Sequence, residues 1–326
     1  MKKVVVLGMN IREDGTGRFF VSETAYGNLL NYPDIPIREM LQSEGFGLYS
    51  ESDLQPEDAD IILCVDLDQN LLERLQKIPS LIPKILLTCE SPIFTRLTYI
   101  VLLNNIHWCL PNFINPMDAI VTWNRSYEAA NIIHYDIPVS YGPKKCFQSA
   151  GKMSGKNSEA RGVAISDPRH GDHLGMVGLR EELFQTLARK DMIDRYGKHL
   201  IDNPQQHSFK ETGERLLILQ NYSFAVVIEN YWAPGYVSPQ LPTCIMAGIP
   251  VIYWGDISTA QRRFPDTFVP LEELSVPGFL KAREQLISRY AELRENVLKC
   301  REESDHWCDS WLDAIREVFR RVASKE

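Results

Sequence analysis

Short apolar runs alternate with amphipathic stretches along most of the chain. Residues 3–7, 59–65, 84–87 and 119–122 are runs dominated by Val, Ile and Leu, the pattern of strands covered on both faces. Between them, residues 35–44 and 69–78 space their apolar positions as one face of a helix does. Strands alternating with helices predict parallel βαβ units. Periodicity is lost over residues 141–159, where Gly, Lys, Ser and Asn accumulate, and a linker is expected there. A second α/β pattern follows: a strand at 162–166, a helix at 179–190, a turn at Tyr196-Gly197, a helix at 210–221 and a strand at 225–228. It continues with a helix from Ser238-Pro239 to Gly248 and a strand at 249–254. From Pro277 the pattern is helical to the end. The expected division is 1–150, 151–295 and a helical tail, 296–326.

Length and charge narrow the class. The 326 residues are too many for one ordinary core and suit two domains. A net charge of −8 argues against a nucleic-acid partner. The seven cysteines (Cys64, Cys89, Cys109, Cys146, Cys244, Cys300 and Cys308) are odd in number and form no C-x-x-C pair. Most lie in apolar runs, as buried reduced thiols do, so a cytoplasmic location is expected. The opening MKKVVVLGMN is too short in apolar residues for a secretory leader, and no run reaches membrane-spanning length.

The densest chemistry lies in residues 222–256, YSFAVVIENYWAPGYVSPQLPTCIMAGIPVIYWGD. An apolar strand ends at Glu229-Asn230, a short loop carries Gly235-Tyr236, and Ser238-Pro239 opens a helix, with Ser238 expected as N-cap and Pro239 at the first helical position. In a parallel sheet, ligands bind at the carboxyl ends of strands against helix N-termini. A carboxylate, an amide, a phenol and backbone N–H groups in one crevice suit a nucleotide or a sugar phosphate.

This segment resembles the donor-binding motif of the α-1,3/4-fucosyltransferases (glycosyltransferase family 10). Tyr222, Phe224, Glu229, Asn230, Tyr236, Val237, Pro250 and Gly255 match it, and Ser238 stands for its Thr. Pro239 and Gln240 replace its Glu and Lys, removing a carboxylate and a cation. Further matches are Ser166 with the helical Arg180, Leu183, Phe184 and Leu187, and Tyr196-Gly197-Lys198 after Ile193. The resemblance implies a GT-B architecture: two Rossmann-like domains facing a cleft, followed by the helical tail.

The same resemblance implies an inverting transfer of fucose from GDP-fucose to a glycan hydroxyl. Glu90, at the end of the 84–87 strand in C-E-S-P, is then the general base. Arg180 and the helix N-terminus at Ser238 hold the diphosphate, since an Arg fork grips two phosphate oxygens at once. Asn230, Tyr236, Glu229, Gln240, Ser166 and Tyr196 complete the donor side, Glu229 being read equally as a cap for backbone N–H groups. Arg125 and Tyr141 are the candidate acceptor contacts. No metal or other cofactor is required in this scheme. The loop Asp167–His173 holds Arg169, His170, Asp172 and His173, but its spacing is not that of a metal site, and Asp66-Leu67-Asp68 is a short acidic pair of a common kind.

A bacterial-type soluble member of the family is implied, with a surface polysaccharide such as lipopolysaccharide as acceptor and, where that acceptor is lipid-linked, peripheral contact with the inner membrane. Trp307, Trp311, Ile315 and Phe319 recur at near-helical spacing and are expected to pack on the body. Arg316, Arg320, Arg321 and Lys325 offer the alternative of contact with an anionic membrane. Two rivals remain: a transferase using another nucleotide sugar, and a non-catalytic binder of nucleotide sugars or carbohydrate.

Overall fold

The computed structural model describes residues 1–8, 34–66, 69–89, 117–126, 128–137, 161–166, 176–197, 206–207, 214–307 and 309–324. Backbone contacts divide the chain into two units. The first comprises Met1–Ser140, Ala233–Gly235 and Trp307–Glu326, the second Tyr141–Trp232 and Tyr236–His306.

In the first unit the chain runs through β1 (Lys2–Gly8), α1 (Asp34–Ser43), β2 (Phe46–Tyr49), β3 (Ile61–Val65), α2 (Gln69–Leu75), β4 (Lys84–Thr88), β5 (Ala119–Thr122) and β6 (Ile132–His134). Its described strands form one parallel sheet in the order β2-β1-β3-β4-β5-β6. Val4, Val5, Val6, Ile62, Ile85 and Leu87 are fully buried, as strands covered on both faces require. Two strands escape the apolar pattern: β2, FGLY, and β6, IIH, are short edges whose partly buried residues carry little signal.

The second unit runs through β7 (Gly162–Ile165), α3 (Met176–Arg189), β8 (Ile193–Tyr196), β9 (Gln206–His207), α4 (Glu214–Leu219), β10 (Phe224–Ile228), α5 (Gln240–Met246), β11 (Val251–Trp254), α6 (Ile257–Arg263), β12 (Phe268–Pro270), α7 (Val276–Ser288) and α8 (Tyr290–Glu302). The strand order is β12-β11-β10-β7-β8-β9, again parallel throughout. The order reverses between β7 and β10, the doubly wound arrangement whose ligand crevice opens at the carboxyl ends of those two strands. Leu183, Phe184 and Leu187 of α3 pack with Ala164, Ile193, Phe224 and Val226 on one face of the sheet.

The stretch expected as a single tail divides. α8 belongs to the second unit, and α9 (Asp309–Ala323) returns to the first. α9 buries Trp311, Ala314, Ile315, Val318, Phe319 and Val322, a continuous apolar stripe. Phe319 meets Phe46 edge-on with ring centroids 5.1 Å apart. Its basic side is also engaged, with Arg320 and Arg316 both reaching Glu44.

No described helix is long and apolar enough to cross a membrane. Cys64, Cys244 and Cys300 are buried free thiols, and burial pushes each up to about 12.

Candidate functional site

The strand-order reversal in the second unit directs attention to Ser166, the residue after β7, and Glu229, the residue after β10. Ser166 is 3% exposed, and α3 lays Glu181 beside it, with Arg180 next in the helix. Arg180, 6% exposed, donates from Nη1 to the Ile228 carbonyl at 3.5 Å and from Nε to Glu181 Oε1 at 3.1 Å. The other Glu181 oxygen, Oε2, is gripped by Arg195 Nη2. Arg195 also donates from Nε and Nη2 to Ser166 Oγ, each at 3.3 Å. Arg195 and Glu181 thus meet at Ser166 at the end of β7, and Arg180 joins them through Glu181, so that two guanidinium groups share one carboxylate.

Arg195 is absent from the sequence-based candidates, as is Glu181. It is 1% exposed, and its Nη1 is buried with no hydrogen-bond partner. Burial holds its pKa below the usual guanidinium value and the neighbouring Arg180 adds to that, while Glu181 opposes it. The signal that could have found it is alternation. In β8 the core residue Ile193 and Arg195 point to the same face, which places an Arg inward. Reading the segment only as a turn at Tyr196-Gly197 hid this.

Tyr196 points the opposite way. Its hydroxyl lies 3.0 Å from that of Tyr222, Tyr222 donates to Asp194 Oδ2 at 2.6 Å, and Arg161 donates to Asp194 Oδ1 at 2.7 Å. The Tyr196 side chain therefore belongs to a separate network, although its backbone carbonyl accepts the Ser166 N–H at 2.9 Å.

Glu229 is 1% exposed and faces α5. Its Oε1 accepts the Ser238 N–H at 2.9 Å and the Tyr253 hydroxyl at 3.1 Å. Burial pushes its carboxyl up to about 7, against the pull of the Ser238 and Tyr253 hydrogen bonds and of the Arg180 charge. Gly255 makes room for this arrangement, because a Cβ there would overlap the Tyr253 phenol and approach Glu229 Cγ at 2.8 Å. Asn230 Oδ1 accepts the Tyr236 hydroxyl at 3.0 Å, and Tyr231 packs edge-on against Tyr236.

The helix starts one residue later than expected, although Pro239 already has helical φ and ψ and the expected Ser238 cap contact forms. α5 begins at Gln240 with Pro239 as its cap, and Ser238 Oγ accepts the Gln240 N–H at 3.3 Å. Pro239 and Pro242 have no N–H, the Ser238 N–H goes to Glu229, and the Thr243 N–H goes to the Pro239 carbonyl. The short helix thus starts with its first-turn N–H groups largely engaged or absent, and the two buried guanidinium groups of Arg180 and Arg195 lie elsewhere, beyond the end of β7.

In the first unit, Arg125 lies beyond β5, partly exposed, and pairs with Asp136 at 3.1 Å. Thr88 donates to Thr122 Oγ1 at 2.7 Å, and the Tyr135 hydroxyl donates to the Thr88 carbonyl. Asp66 Oδ1 accepts the Cys89 N–H at 2.7 Å. These bonds fix the end of β4 just before position 90. Glu90 and Tyr141 themselves lie outside the described residues, as do Asp68, Asp167, Arg169, His170, Asp172 and His173.

No protein-family model matches the chain, and no curated protein matches it. Solved structures do. An α1,3-fucosyltransferase with GDP superposes at TM-score 0.56 and 12% identity, covering 98% of this chain and 89% of that one. The sucrose-phosphate synthase of Thermosynechococcus elongatus gives TM-score 0.60 at 10% identity, over 100% of both chains. A UDP-forming α,α-trehalose-phosphate synthase from Burkholderia xenovorans gives 0.51 at 13%, over 83% and 75%. The fold is GT-B. At these identities the likeness carries the fold alone. It agrees with the two parallel doubly wound sheets and the helical C-terminal region found here.

Proposed function

We propose that the chain is a glycosyltransferase taking a nucleotide-diphosphate sugar as donor, with GDP-fucose the first donor to test and a glycan hydroxyl as acceptor. The observation that carries this reading is the buried cluster of Ser166, Arg180 and Arg195 at the topological switch point of the second sheet. Two planar guanidinium groups with one carboxylate between them suit a diphosphate, whose oxygens can take up both forks. Asn230 and Tyr236 stand next along the chain from β10 to fix the sugar or ribose, with Glu229 holding the loop that carries them. Glu90 is the proposed base: its carboxylate takes the acceptor proton as the sugar leaves the diphosphate. Arg125 and Tyr141 are the proposed acceptor contacts. The GDP in the fucosyltransferase structure supports the choice of donor, as does the motif in residues 222–256.

A specific observation favours a second donor. Pro239 and Gln240 stand where the fucosyltransferase motif has Glu and Lys, and the α5 N-terminus is spent on its own contacts. Donor selection then rests on other residues, and a UDP-sugar is the competing reading. Calorimetry with GDP, GDP-fucose, GDP-mannose and UDP-sugars separates them. Selective binding of GDP and GDP-fucose supports the first reading, preference for UDP-sugars the second, and failure of all of them removes both. Transfer or donor hydrolysis that is lost in Glu90→Gln distinguishes an enzyme from a binding protein. The apolar face of α9 is already buried and Arg316 and Arg320 are paired, so membrane attachment through that helix is not part of the proposal.

A further inference from the structure

Glu181 occupies an unusual position for a surface-type helical residue. Its two carboxylate oxygens reach two different guanidinium groups, Oε1 to Arg180 and Oε2 to Arg195, and Oε2 also lies 3.3 Å from Ser166 Oγ. That is the geometry of a bridging anion held between two Arg forks. All three partners are nine-tenths buried or more, and Arg195 Nη1 remains buried without a partner, so the carboxylate does not saturate the cluster. A dianionic ligand with more oxygens would satisfy what Glu181 leaves open.

We propose that Glu181 is a built-in stand-in for the donor diphosphate, bridging Arg180 and Arg195 in the ligand-free chain and giving up that place when a diphosphate binds. This rests on the nucleotide-diphosphate reading above and adds a competitor to it. Two buried cations without an anion are costly, so the ligand-free unit needs a carboxylate there. The same carboxylate sets a threshold for entry. A ligand must out-compete that carboxylate for both guanidinium groups, which a diphosphate, with more charge and more oxygens, does better than a single phosphate. Glu181 thereby lowers the affinity of the pair for any anion, and a strongly charged ligand is needed to displace it.

The test is calorimetric titration with inorganic pyrophosphate, inorganic phosphate and GDP. The proteins are the wild type, Glu181→Gln, Glu181→Asp, Arg195→Met and the Glu181→Gln/Arg195→Met double variant, each checked for folding by circular dichroism. Glu181→Gln removes the competing charge and is expected to bind pyrophosphate and GDP about tenfold more tightly or better, since one charge a few ångströms away at an effective dielectric near 20 is worth at least that. Phosphate is expected to gain as well. The gain should vanish in the Arg195→Met background. Glu181→Asp, too short to bridge both forks, should shift affinity in the same direction and serves if the Gln variant does not fold. Unchanged or weaker binding in Glu181→Gln, with the wild type still binding GDP, overturns the inference and leaves the proposed function standing. Absence of pyrophosphate and GDP binding in the wild type and in both Glu181 variants overturns the two together.

Discussion

Glu229 accepts the backbone N–H of Ser238 at 2.9 Å, tying the end of β10 to the entry of α5 across the loop that carries Asn230 and Tyr236. A buried carboxylate is being used as a loop clamp, and Tyr253 completes it from the neighbouring strand. The clamp works with the proton on or off, provided an oxygen still faces Ser238. Glu229→Gln is therefore expected to fold with little loss of stability. Glu229→Ala, which orphans the Ser238 N–H and the Tyr253 hydroxyl, should cost about 2–4 kcal/mol in urea unfolding.

The clamp also predicts a pH dependence. Burial pushes the Glu229 carboxyl from 4.5 up to about 7. The folded chain then keeps a proton that the unfolded chain has released, so this group's contribution to stability is whole below about pH 4.5 and is lost as pH rises through about 7. The loss across that window is about 3 kcal/mol. Comparing unfolding free energies of wild type and Glu229→Gln at pH 5 and pH 8 isolates it, because the Gln variant does not titrate there. A difference that stays constant with pH would remove the shift.

Arg180 makes a separate prediction. Replacing it with Ala should weaken GDP binding by about 10- to 100-fold, the range of a charge-assisted hydrogen bond to phosphate, and leave guanosine binding unchanged. Arg180→Lys keeps the charge but loses the planar fork, and should fall between the two. Equal losses for GDP and guanosine would place Arg180 in the fold instead of on the phosphates.

Gly235 adopts φ +91°, and a Cβ there would sit inside the van der Waals radius of the Trp123 carbonyl oxygen. Its neighbour Pro234 accepts the Arg125 N–H at 2.9 Å, so the backbone at this point is held close. Gly235→Ala is expected to cost about 2–4 kcal/mol, combining left-handed strain with the overlap. Thermal unfolding measures it, and an unchanged transition would refute the close approach.

The last helix belongs to the first unit, which makes the C-terminus structural. Phe319→Ala should destabilise that unit by about 3–5 kcal/mol through the cavity left against Phe46. Hydrogen exchange should report the loss in β1 and β2, while amides of β7 and β10 keep their protection.

Much of this was legible from one dimension. The strands at 84–87 and 119–122 and the β10–α5–β11 segment announce themselves, because a strand buried on both faces must be apolar throughout and its ends must be polar. The same rule located Ser166, Glu229 and Asn230 at strand ends. Arg180 was found through the resemblance to the fucosyltransferase motif, which pairs it with Leu183, Phe184 and Leu187, the residues that seat α3 on the sheet. The edge strands β2 and β6 were missed because partly covered strands need no apolar run.

What the sequence by itself determined is the alternation of elements, and hence two parallel sheets with chemistry at their strand ends. Periodicity dictates that much, since each element must bury its own face. What only the tertiary structure decided is which strand ends meet. Strand order in the second sheet places β7 beside β10, and β8 next to β7, so Arg195 reaches Ser166 from 29 positions away in the chain and Glu181 falls between two guanidinium groups. The fate of the C-terminal stretch was equally invisible. An amphipathic helix shows that it has a face to bury, and only the packed chain shows that α9 buries it against the first unit, beside Phe46. Pairings of this kind depend on distances through space, and a linear pattern carries no information about them.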